Sequence, residues 1–219
     1  MRLAAISDIH GRQGTIREFP KADLCVIAGD VCTTGKLTQL KQFIQDIRKW
    51  PYDKIIFVAG NHDRCLEGER RPQALEIIAK DPRIVMLRDE ALVVDGIKFY
   101  GSPWTPCYGR WAFMRPDDLL GDHVWRFIPD DTDILITHGP ACGILDRVGN
   151  RLPGSNTLRY ELDKGRIKLK AHIFGHIHEG RGSMEVPTYG EITYMAYNVS
   201  YLDSKYEPYP QAPFTVIEV

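Results

Sequence analysis

Residues 54–63 of the chain read KIIFVAGNHD, a short apolar run rich in β-branched residues that stops abruptly at four turn-forming and polar residues. Such a run predicts a buried strand, and the letters GNHD then mark its carboxyl end. Two earlier segments follow the same pattern: residues 2–7 (RLAAIS) lead into DIHG, and residues 23–28 (DLCVIA) lead into Gly29-Asp30. The chain therefore opens with three buried strands that each end in candidate functional residues.

Helical patterns separate these strands. In residues 37–50 (LTQLKQFIQDIRKW), apolar residues recur on one helical face, and Pro51 follows. Pro72 followed by QALEIIAK predicts a second helix with the proline in its first turn, and residues 119–127 predict a short third one. Asp95-Gly96 lies between two β-prone runs and predicts a hairpin turn. Residues 101–116 then predict a long, aromatic-rich loop.

Further strands are predicted at residues 133–137, 171–174, 192–200 and 214–219. Parallel strand–helix units come first, and we expect antiparallel strands later. This order indicates an α/β fold with one mixed sheet or two sheets. Because no linker-like stretch interrupts the chain, we expect one domain over residues 1–219.

Composition excludes several classes of protein. The 219 residues are 43% hydrophobic and 26% charged, which argues against a disordered chain. The formal net charge is −1, without the basic excess typical of proteins that bind duplex nucleic acid or an anionic membrane. No long apolar run predicts a transmembrane helix or a signal peptide. We therefore expect a cytoplasmic protein whose five cysteines are reduced thiols.

The histidines are concentrated where strands end. Five of the seven follow predicted strands: His10, His62, His138, His176 and His178. Asp8, Asp30 and Asn61 stand at the same kind of position. Because the carboxyl ends of strands in open α/β sheets converge on the ligand site, we expect all these side chains in one crevice. His123 and His172 are left over and are expected to be ordinary surface or satisfied core residues.

This set of imidazoles and carboxylates indicates a metal site. No cysteine is placed among them, which argues against a structural zinc site, and the mixture suits zinc, iron or manganese better than calcium. Two divalent ions facing two carboxylates leave a formal charge of about +2, which attracts phosphate esters and lowers the pKa of bound water.

Taken together, five blocks resemble the calcineurin-like metallophosphoesterase superfamily, in that family's order: Asp8-x-His10, Gly29-Asp30, Gly60-Asn61-His62-Asp63, His138 and Gly175-His176-x-His178. Segments such as GIKFYGSPWTP and HIFGHIHEGRG are similar to a subgroup of small phosphodiesterases, and the similarity covers nearly the whole chain. The resemblance implies a single metallophosphoesterase domain built as a four-layer α/β-β/α sandwich with two mixed β-sheets.

The resemblance also implies roles for the site residues. The first metal ion would be held by Asp8, His10, Asp30 and His178, and the second by Asp30, Asn61, His138 and His176. Asp30 would then bridge the two ions. His62 is similar to the family's catalytic histidine, which protonates the leaving alkoxide or stabilises charge on the phosphorus oxygens while a metal-bound hydroxide attacks. We expect two divalent ions, with manganese the first candidate and iron, zinc and nickel as alternatives.

One departure from the family concerns the residues after the bridging aspartate. In the protein serine/threonine phosphatase branch, an Asp and an Arg stand three and four positions beyond it, whereas this chain has Thr33 and Thr34. The departure disfavours a protein phosphatase. It also leaves the partner that orients His62 unidentified, because Asp63 is adjacent in sequence but need not face the ring.

We therefore expect a phosphodiesterase that acts on a small substrate such as a cyclic nucleotide. The alternatives are a nuclease or broad phosphoesterase of the same superfamily and a non-catalytic scaffold. The aromatic residues of the loop 101–116 either stack on the substrate or form a local hydrophobic cluster, and we favour the cluster for most of them. No stable duplex nucleic acid partner and no membrane are expected, and the sequence leaves the oligomeric state open.

Overall fold

Two β-sheets carry the fold, and the computed structural model describes residues 1–189 and 193–219. The first sheet contains β1 (Arg2–Ile6), β2 (Leu24–Ala28), β3 (Ile55–Val58), β4 (Ile84–Met86) and β13 (Thr215–Glu218). Their order is β13-β1-β2-β3-β4. The strands β1 to β4 are parallel, and β13 closes the sheet antiparallel to β1.

The second sheet is also mixed. It contains β5 (Glu90–Val94), β6 (Ile97–Ser102), β9 (Ile134–Thr137), β10 (Ala171–Phe174), β11 (Gly182–Pro187) and β12 (Thr193–Asn198). Their order is β11-β12-β10-β9-β6-β5, with four parallel strands in the middle and an antiparallel strand at each edge. A separate short pair joins β7 (Thr105–Pro106) to β8 (Met114–Arg115).

Both faces of the central strands are buried, because alternate side chains point to opposite sides of a strand. In β1, Leu3 and Ala5 belong to the apolar layer between the sheets, together with Phe99 of the second sheet. Ala4 and Ile6 instead join the apolar cluster that lies under the helices.

The helices form the outer layers. They are α1 (Leu37–Ile47), α2 (Arg71–Ile78), α3 (Asp117–His123) and α4 (Asn156–Asp163). On the first sheet, Phe43 of α1 packs on Phe57 of β3, with ring centroids 6.0 Å apart. Leu158 and Leu162 of α4 are fully buried in the same apolar cluster as Leu135 of β9. The predicted four-layer sandwich with two mixed sheets is therefore confirmed.

Most predicted elements are present, with ends displaced by one to three residues. Pro72 lies in the first turn of α2, as its sequence indicates. Asp95 and Gly96 form the predicted hairpin turn, and both have the positive φ that a two-residue turn of this kind requires. The strand predicted at residues 192–200 is observed from Thr193 to Asn198; Ile192 lies outside the described residues.

Other expectations were wrong. Residues 101–116 are not one loop, because they include the end of β6 and the pair β7–β8. The later strands are not mainly antiparallel, since β6, β9, β10 and β12 run parallel. The helix expected at residues 119–127 is α3 followed by a separate 3₁₀ turn at Trp125–Phe127. Three further elements were not predicted. β4 has only three residues and β11 is mostly exposed, so both lack a sequence signal; α4 has one that was missed, because its buried Leu158 and Leu162 stand four positions apart.

Within the two described ranges, no helix combines the length and the apolarity needed to cross a lipid bilayer.

His172 and His123, the two histidines left out of the site, occupy different environments. His123 is exposed at the end of α3. His172 is fully buried in β10, where its Nε2 lies 2.7 Å from the hydroxyl of Thr137. Because that hydroxyl donates to the carbonyl oxygen of Gly139, His172 Nε2 is the donor and Nδ1 has no partner. The expectation of a satisfied core histidine therefore holds for one ring nitrogen only.

His172 makes the stability of the fold depend on pH. Burial lowers its pKa from 6.5 to about 3, so the folded protein keeps the ring neutral where an unfolded chain would protonate it. Stability supplied by the neutral ring is present above pH 6.5 and is lost as the pH falls towards 3. When the pH is lowered from 7 to 5, the unfolding free energy of the wild type should therefore fall by about 2 kcal/mol more than that of His172→Gln. Urea denaturation of the two metal-free proteins at both pH values measures this difference. Equal losses in the two proteins would contradict this assignment.

Candidate metal centre

The carboxyl ends of five parallel strands, drawn from both sheets, deliver the candidate ligands to one crevice. The first sheet supplies Asp8 and His10 after β1, Asp30 after β2 and Asn61 after β3. The second sheet supplies His138 after β9, and His176 and His178 after β10. The two edges are joined directly, because Ser7 and Ser200 form a parallel β-bridge.

The donor atoms of these side chains form two clusters. In the first, donor atoms of Asp8, His10 and His178 lie within 4.8 Å of one another. In the second, the same limit holds for Asp30, His138 and His176. Neither cluster includes a cysteine, in agreement with the argument against a structural zinc site. Each cluster has the size and the donor types of a site for one divalent cation.

Asp30 lies between the two clusters. Its Oδ2 is 3.7 Å from His10 Nε2 on one side and 3.4 Å from His138 Nε2 on the other. Its Oδ1 accepts a hydrogen bond of 2.8 Å from the backbone amide of His62. The carboxylate is thus in the position that a ligand shared by two ions would need.

Asn61 completes the second cluster. Its Oδ1 lies 2.9 Å from His138 Nε2. His138 Nδ1 lies 2.9 Å from the carbonyl oxygen of Ala28, a partner that can only accept. Burial is the largest single effect and opposes the charged form of His138, but the charge and hydrogen bond of Asp30, the charge of Asp8 and the Ala28 carbonyl together outweigh it and raise the pKa of this imidazole to about 9. In the metal-free protein, His138 is therefore an imidazolium that donates to both oxygens.

His178 is held in the same way in the first cluster. Its Nδ1 donates to the carbonyl oxygen of Asp203 at 2.9 Å, and its Nε2 lies 3.4 Å from Asp8 Oδ1. Burial again opposes protonation, but the hydrogen bond and charge of Asp8 raise the pKa of His178 to about 9. A backbone carbonyl on Nδ1 orients Nε2 towards the site, which is the usual outer support of a metal-ligating histidine.

His10 provides the most direct test of whether the crevice suits a cation. The residue is 6% exposed, and neither ring nitrogen has a hydrogen-bond partner. Leaving such a group unpartnered is unfavourable by about 1–3 kcal/mol, so buried polar atoms without partners call for an explanation. A metal ion beside Asp8 and His178 would satisfy one of these nitrogens. The donor set therefore fits divalent cations.

Four of the candidate ligands have a backbone conformation that is rare for residues other than glycine. Asp8, His10, Asp30 and His176 have φ values of 54°, 45°, 52° and 68°. Conformations of this kind are unfavourable by about 1–3 kcal/mol each and cluster at functional sites, where the surrounding structure enforces them. Gly60 and Gly175 make room for this arrangement, since a Cβ atom at either would overlap a carboxylate oxygen of Asp30 or Asp8.

Asp63 supports the centre rather than facing it. Its buried carboxylate accepts three backbone hydrogen bonds, from Val31 at 3.2 Å, Cys32 at 2.7 Å and Gly60 at 2.8 Å. These bonds tie the loop after β2 to the loop after β3. Burial, followed by the charge of nearby Asp30, raises the pKa of Asp63 to about 6.

The ring of His62 is oriented by a backbone carbonyl. Its Nδ1 lies 2.7 Å from the carbonyl oxygen of Thr33, so Nδ1 carries the proton of that bond. The indole of Trp111 stacks on the imidazole, with centroids 4.4 Å apart and an interplanar angle of 27°. Donor atoms of His62, His10 and Asp30 lie within 4.8 Å of one another. The partner that the sequence left unidentified is thus the backbone of Thr33.

The large aromatic residues of the segment 101–116 occupy two different environments. Trp104 and Phe113 are buried in the core, and Trp104 Nε1 donates to Asp89 at 2.8 Å. Tyr108 and Trp111 are instead exposed beside the crevice, where the Tyr108 ring lies 5.6 Å from that of His176. The prediction of a local hydrophobic cluster therefore holds for Trp104 and Phe113 but not for Tyr108 and Trp111.

Two residues that contact the candidate ligands were not predicted from the sequence. Ser200 donates to Asp8 Oδ2 at 2.9 Å, and it follows β12, so the strand-end criterion that selected the histidines applied to it as well. Tyr206 has its ring 5.1 Å from His10 and 5.2 Å from His178. It lies in an irregular segment, and no pattern in the sequence pointed to it.

Comparison with known proteins agrees with this geometry. A family model described as calcineurin-like phosphoesterase matches residues 1–180. The chain belongs to the calcineurin-like phosphoesterase family. Its members are metal-dependent phosphoester hydrolases that use a dinuclear centre, and the two clusters of this phosphoesterase could hold such a pair of ions.

Sequence similarity to individual relatives covers most of the chain. Metallophosphoesterase domain-containing protein 1 of Homo sapiens is 32% identical over 228 residues, which cover 94% of this chain and 68% of the human protein. A UPF0046 protein of Caenorhabditis elegans is 30% identical and covers 83% of this chain and 65% of its own length. A crystal structure from Thermus thermophilus superposes with a TM-score of 0.64 over 91% of this chain and 90% of that one; at 15% identity it shows the fold alone.

Binding of divalent cations should stabilise the folded phosphoesterase. Adding manganese to metal-free protein at about 100 times its dissociation constant should stabilise the fold by about 2.7 kcal/mol, or raise Tm by roughly 5–10 °C. His10→Ala should reduce this rise because it removes a donor from the first cluster, whereas the exposed His123→Ala should keep it. Differential scanning calorimetry with and without EDTA provides the measurement. An undiminished rise in His10→Ala would argue against the first cluster as a metal site.

Proposed function

We propose that the protein is a phosphodiesterase that hydrolyses small phosphodiesters, cyclic nucleotides among them, with two divalent cations. The supporting observation is the pair of donor clusters at the joint edge of the two sheets, with Asp30 of the second cluster 3.7 Å from His10 of the first. Asp8, His10, Asp30 and His178 would hold one ion, and Asp30, Asn61, His138 and His176 the other. Manganese is the first candidate, since carboxylate, amide and imidazole donors suit it, with iron, zinc and nickel as alternatives.

Ions bound in such a pair supply Lewis acidity towards a phosphoryl oxygen and lower the pKa of water. The side chains of the protein set the geometry. Asp30 Oδ2 faces a histidine of each cluster, and the backbone carbonyls of Ala28 and Asp203 orient the Nε2 atoms of His138 and His178 towards the crevice. The chain thus holds the donors in place before any ligand arrives.

His62 is placed to transfer a proton. With its Nδ1 bound to the Thr33 carbonyl, its Nε2 is the atom left to face the substrate. Stacking on Trp111 restricts rotation of the ring. We assign the imidazolium form of His62 as the general acid: its Nε2 gives a proton to the leaving alkoxide, and the ring returns to the neutral form with its remaining proton on Nδ1, bonded to Thr33.

Charge favours a diester over a monoester. Across residues 1–189 and 193–219, no recorded hydrogen bond or ion pair joins a Lys or Arg side chain to Asp8, Asp30, Asn61 or the four histidines of the clusters. A monoester is close to a dianion at neutral pH and gains more from additional cationic contacts than a diester, which carries a single charge. A small diester therefore matches the groups at this centre.

A substrate panel tests the proposal. Manganese-loaded protein should hydrolyse bis-p-nitrophenyl phosphate and 2′,3′-cyclic nucleotides, and EDTA should abolish the activity. The panel includes p-nitrophenyl phosphate as the matched monoester and single-stranded DNA as a nuclease substrate. If both diesters stay intact with manganese, iron, zinc and nickel, the proposal fails. Faster cleavage of single-stranded DNA than of either small diester would instead identify a nuclease.

Two variants separate metal binding from proton transfer. His62→Ala should keep the metal content and lower turnover of the diester by about 10²–10⁴-fold, because it removes the general acid. Asp30→Ala should lower both, because it removes the donor shared by the two clusters. Metal content is measured by inductively coupled plasma mass spectrometry alongside the kinetics, with His123→Ala as the control. Equal metal loss in the His62 and Asp30 variants would refute this division of roles.

A further inference from the structure

A short loop places a tyrosine over the second cluster. Residues 107–112, which we name the site loop, connect β7 to β8 and are held by backbone hydrogen bonds at both ends. Cys107 donates to the carbonyl oxygen of Arg115 at 3.0 Å, and Ala112 donates to that of Asn61 at 3.1 Å. The loop is thus fastened to the backbone of a candidate ligand, which fixes the place of Tyr108 although this residue is 62% exposed.

The hydroxyl of Tyr108 has a proton available for a ligand. It accepts a hydrogen bond of 3.3 Å from Asn61 Nδ2, while Asn61 Oδ1 faces His138. A phenol that accepts one bond can still donate one. Among the residues that the structure describes, none accepts this proton. The Tyr108 hydroxyl therefore lies beside the second cluster with its proton free to be donated to a ligand.

Two nearby guanidinium groups are engaged elsewhere. Arg64 lies over the Trp111 ring at 4.9 Å, and its Nη2 donates to the carbonyl oxygen of Arg110 at 2.8 Å. Arg12 pairs with Glu207 at 3.4 Å. Tyr108 is thus a neutral donor at the crevice, bonded to the candidate ligand Asn61.

We propose that Tyr108 donates a hydrogen bond to a non-bridging oxygen of the bound phosphodiester and thereby makes the site prefer singly charged esters to doubly charged ones. This inference rests on the proposed function, and it names a residue that sets the specificity of that reaction. A neutral donor stabilises one developing negative charge without providing the extra positive charge that a dianion needs. A cation at the same place would favour the dianion, because Coulomb attraction grows with the charge of the ligand.

Three variants test the role of Tyr108. Tyr108→Phe removes the donor and keeps the ring, and should lower kcat/KM for bis-p-nitrophenyl phosphate about tenfold or more, as expected for a hydrogen bond to a charged group. Tyr108→Arg replaces the donor by a cation, and should shift the ratio of diester to monoester hydrolysis at least several-fold towards p-nitrophenyl phosphate. Tyr160→Phe, in an exposed residue of α4, is the matched control and should change neither value.

A second readout excludes a merely structural effect. Calorimetric titration of the metal-free variants with manganese alone should give the wild-type affinity and stoichiometry for Tyr108→Phe, because the phenol is not itself in either cluster.

The outcomes are distinguishable. A wild-type protein inactive on every diester overturns the proposed function, and the role of Tyr108 with it. An active wild type together with an unaltered Tyr108→Phe overturns the Tyr108 assignment alone. A weakened manganese affinity in Tyr108→Phe also overturns it.

Discussion

Burial of three carboxylates at one edge of the molecule is the constraint on which the rest of this structure depends. Asp8, Asp30 and Asp63 are each at most 2% exposed. Removing a carboxylate from water is unfavourable by several kcal/mol unless hydrogen bonds or opposite charges compensate. Asp63 is compensated by three backbone amides, while Asp8 and Asp30 have imidazoles beside them. Protonated His138 and His178 thus provide, in the metal-free protein, part of the positive charge that cations would provide.

The fold and the location of the site could be predicted because short sequence patterns indicate both. Apolar runs followed by DIHG, GD, GNHD, HG and GHIH identify five strands and place polar residues at the end where parallel strands converge. Two of the elements that were missed lack such patterns. β11 is exposed on most of its residues, and β4 has only three, so neither has an apolar period long enough to recognise.

The supports of the site could not be predicted, because many of them are backbone atoms or come from distant segments. The carbonyl of Thr33 orients His62 whatever side chain that position carries, and the carbonyl of Asp203 does the same for His178. Ser200 reaches Asp8 from 192 residues away in sequence. Tyr108 and Trp111 were seen as part of an aromatic segment, but only three-dimensional packing shows which of its rings enter the core and which face the crevice.

Each sheet contributes donors to both clusters, and this has a mechanical consequence. Asp8 and His10 meet His178 across the seam between the sheets, and Asp30 meets His138 and His176 across the same seam. An ion in either place would add a link between two sheets that already meet through apolar side chains and the Ser7–Ser200 bridge. Metal binding would then raise the free energy of local opening in both sheets, and metal release would lower it. Amide hydrogen exchange in the strands next to the seam would therefore report on occupancy even where no atom of the strand is a ligand.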